Sequence, residues 1–196
     1  GAAKDAWVIA AHLPEVVRAA QLIAPGRRRT VWYAAHRRSA TAGALQAAGV
    51  RVLEAPDRYV SSEETALISL AHGGLARPMT KREPFVFGGR DSTGRRIRPT
   101  VVLNAETVWR IGQIAERGSA GASWFRSLGL PEEPGPRLVS VSLPGAVASP
   151  VVVETATGTP LEQIIAAAGG LSASAEAVLI GGLGGAFVSA SEARAA

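Results

Sequence analysis

Cysteine is absent from this 196-residue sequence. Disulfides, thiolate zinc sites, a cysteine nucleophile and any iron–sulfur cluster ligated from within the chain are thereby excluded. Long apolar runs are missing as well. None approaches the roughly 18 residues that span a bilayer, so direct membrane insertion is not expected. Histidine occurs only at His12, His36 and His72, without ligand spacing, and no metal site follows from them. No serine sits in a GxSxG elbow, and no glycine loop carries the Lys-Ser/Thr of a P-loop. Aromatic residues make up only 5%, and lysine occurs only at Lys4 and Lys81. The arginines are scattered and do not interleave with the tryptophans and tyrosines as a stacking platform would, so nucleic-acid binding is not expected. No basic segment followed by an apolar stretch marks a secretory leader.

What is present is enough for a buried core. Hydrophobic residues reach 47%, charged residues 19%, and the mean hydropathy is +0.16, a balance that disfavours disorder. The net charge of +5 is uneven. Residues 1–130 hold 19 Lys and Arg against 10 Asp and Glu, whereas residues 131–196 hold 2 against 6. This shift, with the PEEPGP stretch at 131–136, predicts a basic domain over 1–130, a linker at 131–136 and an acidic domain over 137–196.

The first part reads as alternating strands and helices. Strands are expected at 5–11, 30–35, 50–53 and 100–103, with helices from Pro14, over 39–48, from Ser61 and over 106–117. Ser61 and Glu64 stand at capping-box spacing, and Asn104 can cap the helix after it. Arg27–Arg29 reads as a solvated loop. Residues 75–99 form a long segment without period, the kind of loop that carries function. Such alternation implies an α/β fold with a Rossmann-like parallel sheet. After the linker, strands at 137–143, 151–154 and 177–180 with a helix at 160–168 predict a small α+β sheet. Pro144-Gly145 marks a turn, and Thr159 and Glu162 have capping-box spacing. Gly181-Gly182-Leu183-Gly184-Gly185 follows a strand without phosphate-loop spacing and reads as a chain reversal. Trp124 and Phe125 read as core plugs.

Glu63 and Glu64 are adjacent carboxylates at a predicted helix N-terminus. Capping explains them, and so does acceptance of a hydrogen bond from a nucleotide or amide group. Asn104 stands at a strand's carboxyl end, where open α/β sheets take ligands, and an ordinary helix cap explains it equally.

In order along the chain, several stretches resemble the NADH-binding flavoprotein subunit of respiratory complex I and its relatives in NAD-linked dehydrogenases. Residues 59–67 (YVSSEETAL) are similar to the family's Y-I-C-G-E-E-T-A-L, and residues 77–85 to its P-R-x-K-P-P-F-P region. Residues 98–107 resemble its P-T-x-V-N-N-V-E-T signature, and Trp124, Phe125 and Gly129 its W-F-x-x-x-G. Residues 139–150, 158–161, 168–170 and 178–182 look like its SLBB domain, a soluble-ligand-binding β-grasp. Departures are present too. Ser61-Ser62 replaces Cys-Gly, Leu103 the first Asn of the Asn pair, and Glu83 a Pro. The family's flavin-cradling glycine loop and four-cysteine segment have no counterpart within these residues.

The resemblance implies a portion of an NADH:quinone oxidoreductase flavoprotein-like subunit that contributes to the NADH/FMN cleft and to electron transfer. Glu63 and Glu64 would lie near the nicotinamide–flavin stack, and Asn104 and Thr107 near the flavin ribityl chain. FMN and NAD(H) are the implied cofactors. Other electron-transfer subunits, or further parts of the same polypeptide, are the implied partners. The implied location is cytoplasmic, at the periphery of a membrane complex. Little or no flavin binding or NADH oxidation is expected of the chain by itself. The alternative is a non-catalytic SLBB-containing binding or assembly module derived from that family.

Overall fold

The computed structural model describes residues 3–26, 29–81, 83–142 and 150–195. The loop expected at Arg27–Arg29 lies largely outside them, and the turn at Pro144-Gly145 wholly so. The described residues form a mixed α/β protein of small sheets. They fall into two compact units: Val8–Gly112, and the segment through Trp7 together with the segment from Gln113 onward.

The first element, α1 (Lys4–Ile23), corrects the strand expected at 5–11. A short apolar run suits a buried helix as well as a buried strand. Here Val8, Val16, Ala19 and Ala20 are buried at helical spacing. The helix kinks at His12, with φ −134° and ψ 25°, two residues before Pro14. Proline brings no N–H and crowds the carbonyl four residues back, which is sufficient cause for the kink. At its N-terminal end the Ser140 hydroxyl accepts from the N–H groups of Ala3 (2.9 Å) and Lys4 (3.0 Å).

Strands β1 (Tyr33–His36) and β2 (Val52–Ala55) pair in parallel across α2 (Ala40–Ala47), with His36 opposite Ala55 at the ladder's end. Ser39 caps α2 through Ala42 N, and Ala42 and Leu45 are buried. The two strands sit one to three residues along from their expected places, and α2 lies within its expected span. The strand expected at 100–103 is not formed. That segment is extended but has no ladder partner among the described residues, and its anchor is Thr100 N donating to Phe85 O at 2.9 Å. With 5–11 helical and 100–103 unpaired, the parallel pairing of the described residues is this single pair. One parallel pair with its crossover helix is a mixed α/β arrangement and does not by itself establish the Rossmann-like sheet.

Helix α3 (Glu64–Ala71) follows a 3-10 turn at Tyr59–Ser62. The loop beyond it folds back in a short hairpin of β3 (Gly89–Arg90) and β4 (Arg96–Ile97). Ile68 of α3, Phe85 and Ile97 form a buried cluster, with Met79 and Val102 packed on it. The long aperiodic segment is therefore wrapped on α3. Helix α4 (Ala105–Glu116) comes next. Its Gly112 approaches α1 so closely that a Cβ there would lie 2.9 Å from the Ala19 methyl.

In the other unit, α4 ends as expected at Gly118, where φ is +54°. Helix α5 (Gly121–Arg126) carries Trp124 and Phe125, both half-buried, with the Arg117 guanidinium 3.7 Å over the Trp124 ring. Residues 131–136, expected as a linker, make the turn of a hairpin between β5 (Gly129–Leu130) and β6 (Glu133–Pro134) and then open β7. Strands β7 (Pro136–Val141) and β8 (Val151–Ala156) pair antiparallel, followed by α6 (Leu161–Ala167). The expected capping box at Thr159 and Glu162 is absent: Pro160 takes the cap position, and the Thr159 hydroxyl donates to Ala156 O instead. Strands β9 (Ala177–Ile180) and β10 (Ala186–Ser189) form a hairpin closed by a 3-10 turn at Gly182–Gly184, the chain reversal read from the glycines. A capping box does occur at Ser189 and Glu192, opening α7 (Ala190–Ala193).

Candidate functional site

The acidic pair lies just past the carboxyl end of β2. Arg58 N donates to Pro56 O at 2.8 Å, turning the chain into the 3-10 turn. That turn takes in Ser61 and buries it, so the expected Ser61–Glu64 capping box does not form. Glu63 caps α3 instead. One carboxylate oxygen, Oε2, accepts from Thr65 N (2.9 Å), Ala66 N (3.0 Å) and the Thr65 hydroxyl (2.6 Å). Partial burial pushes the Glu63 carboxyl up. The Thr65 hydroxyl, the two N–H groups and the Lys81 charge outweigh it and hold the group below the ordinary value. Glu64 points to a different partner. Its Oε2 meets Lys81 Nζ at 2.6 Å, with both side chains more than a third exposed.

Two residues that the sequence did not single out complete this cluster. Thr65 is buried, and its Oγ1 also accepts from Met79 N at 2.7 Å. Lys81 arrives on the same loop. A Thr two places after an acidic N-cap was the available signal, because hydroxyls there bond locally.

Asn104 and Thr107 sit at the start of α4. Asn104 Oδ1 accepts from Thr107 N (3.0 Å) and the Thr107 hydroxyl (2.8 Å), the ordinary cap geometry. Val102, two residues earlier, packs on the Ile68, Phe85 and Ile97 cluster that also anchors α3. The segments bearing the two pairs thus share one core, although no hydrogen bond joins Glu63 or Glu64 to Asn104 or Thr107 among the described residues. His72 ties the same region together. Its Nδ1 lies 2.9 Å from Ile68 O and its Nε2 accepts from Arg98 N at 3.3 Å, an arrangement that requires the neutral Nδ1–H tautomer.

A shallow hollow opens where β1 and β2 end, lined by Ala34, Ala35, His36, Ala55, Ser62 and Leu67. The His36 ring is held there by Pro56 O, 3.2 Å from Nδ1. Ends of parallel strands are where α/β proteins take ligands. In the other unit a second hollow lies among α6, α7 and the segment between them, with Glu162 and Arg194 at an otherwise apolar wall.

The SLBB domain family matches residues 140–185. Beyond that span, the chain is 34% identical over 140 residues to the NAD-reducing hydrogenase HoxS subunit alpha of Cupriavidus necator. It is also 37% identical over 107 residues to an NADH-quinone oxidoreductase subunit of Rickettsia bellii. The chain is a homologue of these NADH-linked oxidoreductase subunits and carries an SLBB domain. The matches take in 71% and 55% of this chain but only 21% and 23% of the relatives, so it spans less than a quarter of their length. An NAD+-reducing [NiFe]-hydrogenase in its air-oxidized state superposes with a TM-score of 0.57 at 32% identity, over 78% of this chain and 25% of the other.

Proposed function

We propose that this chain supplies one wall of the nucleotide cleft in an NADH:acceptor oxidoreductase subunit. The observation that carries the reading is the acidic pair at the head of α3, with Lys81 brought 2.6 Å from Glu64 by the loop folded over that helix. A carboxylate beside an ammonium offers an acceptor for an amide N–H and a cation for a phosphate, which are the two ends of a nicotinamide nucleotide. The homology to NADH-quinone oxidoreductase subunits supports the same class.

The FMN implied by that family is not served by these side chains alone. Asn104 Oδ1 and the Thr107 hydroxyl are bonded to each other, and the capping oxygen of Glu63 already has three donors. What the chain's residues do is orient Glu64 and Lys81 and hold Asn104 at the head of α4. With no cysteine in the sequence, any iron–sulfur cluster in such an assembly has its protein thiolates elsewhere. Other electron-transfer subunits, or further parts of the same polypeptide, are the proposed partners. The proposed setting is cytoplasmic, at the periphery of a membrane complex. No helix among the described residues is long and apolar enough to cross a membrane.

One observation favours a second reading, that of a non-catalytic binding module. Leu179 and Phe187 are directly opposed on the β9–β10 hairpin, and Phe187 is 74% exposed. Exposed apolar pairs of this kind are used in protein contacts. NADH titration of the purified chain, followed by fluorescence and calorimetry, separates the two. The cleft reading expects weak saturable binding that Glu64→Gln reduces, with no NADH–ferricyanide turnover by the chain alone. Absence of binding at millimolar NADH favours the module.

A further inference from the structure

We propose that Thr65 is a positioning residue whose hydroxyl locks the Glu63 carboxylate and the 75–81 loop to one another, and so delivers Lys81 to Glu64. The proposal rests on the reading of Glu64 and Lys81 as the nucleotide-facing pair.

Thr65 is 4% exposed. Its Oγ1 lies 2.6 Å from Glu63 Oε2 and 2.7 Å from Met79 N. The chemistry fixes the direction of both bonds. A backbone N–H can only donate, so the hydroxyl accepts from Met79. An ionised carboxylate can only accept, so the hydroxyl gives its proton to Glu63. One small group therefore joins a helix cap to a loop 14 residues away. Met79 packs on the Ile68, Phe85 and Ile97 cluster, which holds the loop from its other side. Two residues further on, Lys81 reaches Glu64. Among the described residues, the charge acting on Glu63 is that of Lys81 from the loop; Glu64 is its neighbour in sequence and faces the same lysine.

The adjacent carboxylates consequently have different tasks. Glu63 cannot swing toward a ligand without stranding Thr65 N, Ala66 N and the Thr65 hydroxyl. Among the described residues Glu64 is bonded to the partly exposed Lys81, a partner it can exchange. Glu63 and Thr65 set the geometry, and Glu64 with Lys81 meets the ligand. That division fits a ligand presenting an amide donor and an anionic group together.

Valine matches threonine in shape but lacks the hydroxyl, whereas serine keeps it. In the full chain, Thr65→Val should reduce hydrogen-exchange protection at the Met79 amide by about tenfold, the loss of one buried hydrogen bond. The Glu63 carboxyl, followed by NMR titration, should move up toward the ordinary carboxylate range. Thr65→Ser should hold both properties at the wild-type level. If NADH binds, its affinity should fall several-fold in Thr65→Val and be retained in Thr65→Ser. Wild-type exchange and titration in Thr65→Val overturn the proposal. So does a Thr65→Ser variant that loses both, because shape and not the hydroxyl would then be responsible. If Thr65→Val fails to fold, Thr65→Ser alone decides, and loss of either property overturns the idea. A wild-type chain that never binds NADH defeats the nucleotide reading, while exchange at Met79 and titration of Glu63 still test Thr65.

Discussion

Lys81 Nζ and Glu64 Oε2 stand 2.6 Å apart although 17 positions separate them in sequence. Both side chains are more than a third exposed, so water screens the attraction. Exposed pairs of this type contribute about 0.5 kcal/mol. Lys81→Met should therefore shift the urea midpoint only slightly. On the proposed function it should still weaken NADH binding by several-fold. A double-substitution cycle with Glu64→Gln checks both points: little coupling in stability and clear coupling in affinity are expected.

Glu63 makes stability depend on pH in the acid range. Its folded-state pKa is held below the ordinary 4.5. A depressed carboxyl stabilises the fold above the unfolded value, and that contribution is lost as pH falls through the folded one. Urea unfolding from about pH 6 to pH 3 should show the loss. Glu63→Gln, which removes the titration, should be less stable than wild type at neutral pH and flatter across this window. Parallel curves for the two proteins would remove Glu63 from the acid dependence.

Ser61 is fully buried, and its hydroxyl has no hydrogen-bond partner among the described residues. An unpaired buried hydroxyl costs about 1–3 kcal/mol, whereas its removal leaves only a small gap. Ser61→Ala and Ser61→Cys should each raise the thermal midpoint by a few degrees. A lowered midpoint in both would mean that the hydroxyl is satisfied in solution.

The division expected from the sequence, with parts over 1–130 and 137–196 joined at 131–136, differs from the two compact units, whose boundary in the chain falls at Gly112–Gln113, and limited proteolysis tests it. Val86 and Phe87 are exposed, and the 131–136 segment turns at the surface. First cuts should fall within 86–98 or 131–136. Protection of both segments, with cleavage mainly inside 139–180, would refute separate parts joined there.

Much of the local structure was legible. The β1–α2–β2 unit, the Asn104 cap of α4, the Gly118 stop and the glycine-rich reversal were all expected from residue type and spacing. Two strands were misread. The run at 5–11 is apolar enough for either element, and only its continuation through Val16 and Ala20 on one buried face makes it helical. Residues 100–103 look like a strand, but a strand needs a ladder partner, and among the described residues its backbone anchor is the carbonyl of Phe85. The capping box at Ser61 failed because the 3-10 turn absorbed that residue and moved the cap two positions on.

The sequence by itself determined the absence of cysteine chemistry, the motif order that marks the family, and the Glu63-Glu64 and Asn104-Thr107 pairs as polar groups at helix starts. Those are local properties, set by residue identity and by spacings of a few positions. The tertiary structure decided which carboxylate is anchored and which is available. That choice depends on Met79 and Lys81, 14 and 17 positions from their partners. Their loop has no periodicity of its own and is placed by burial against Ile68, Phe85 and Ile97. Burial of that loop on the apolar cluster and its hydrogen bond to Thr65, contacts made across the fold, accompany the approach of the lysine to its glutamate.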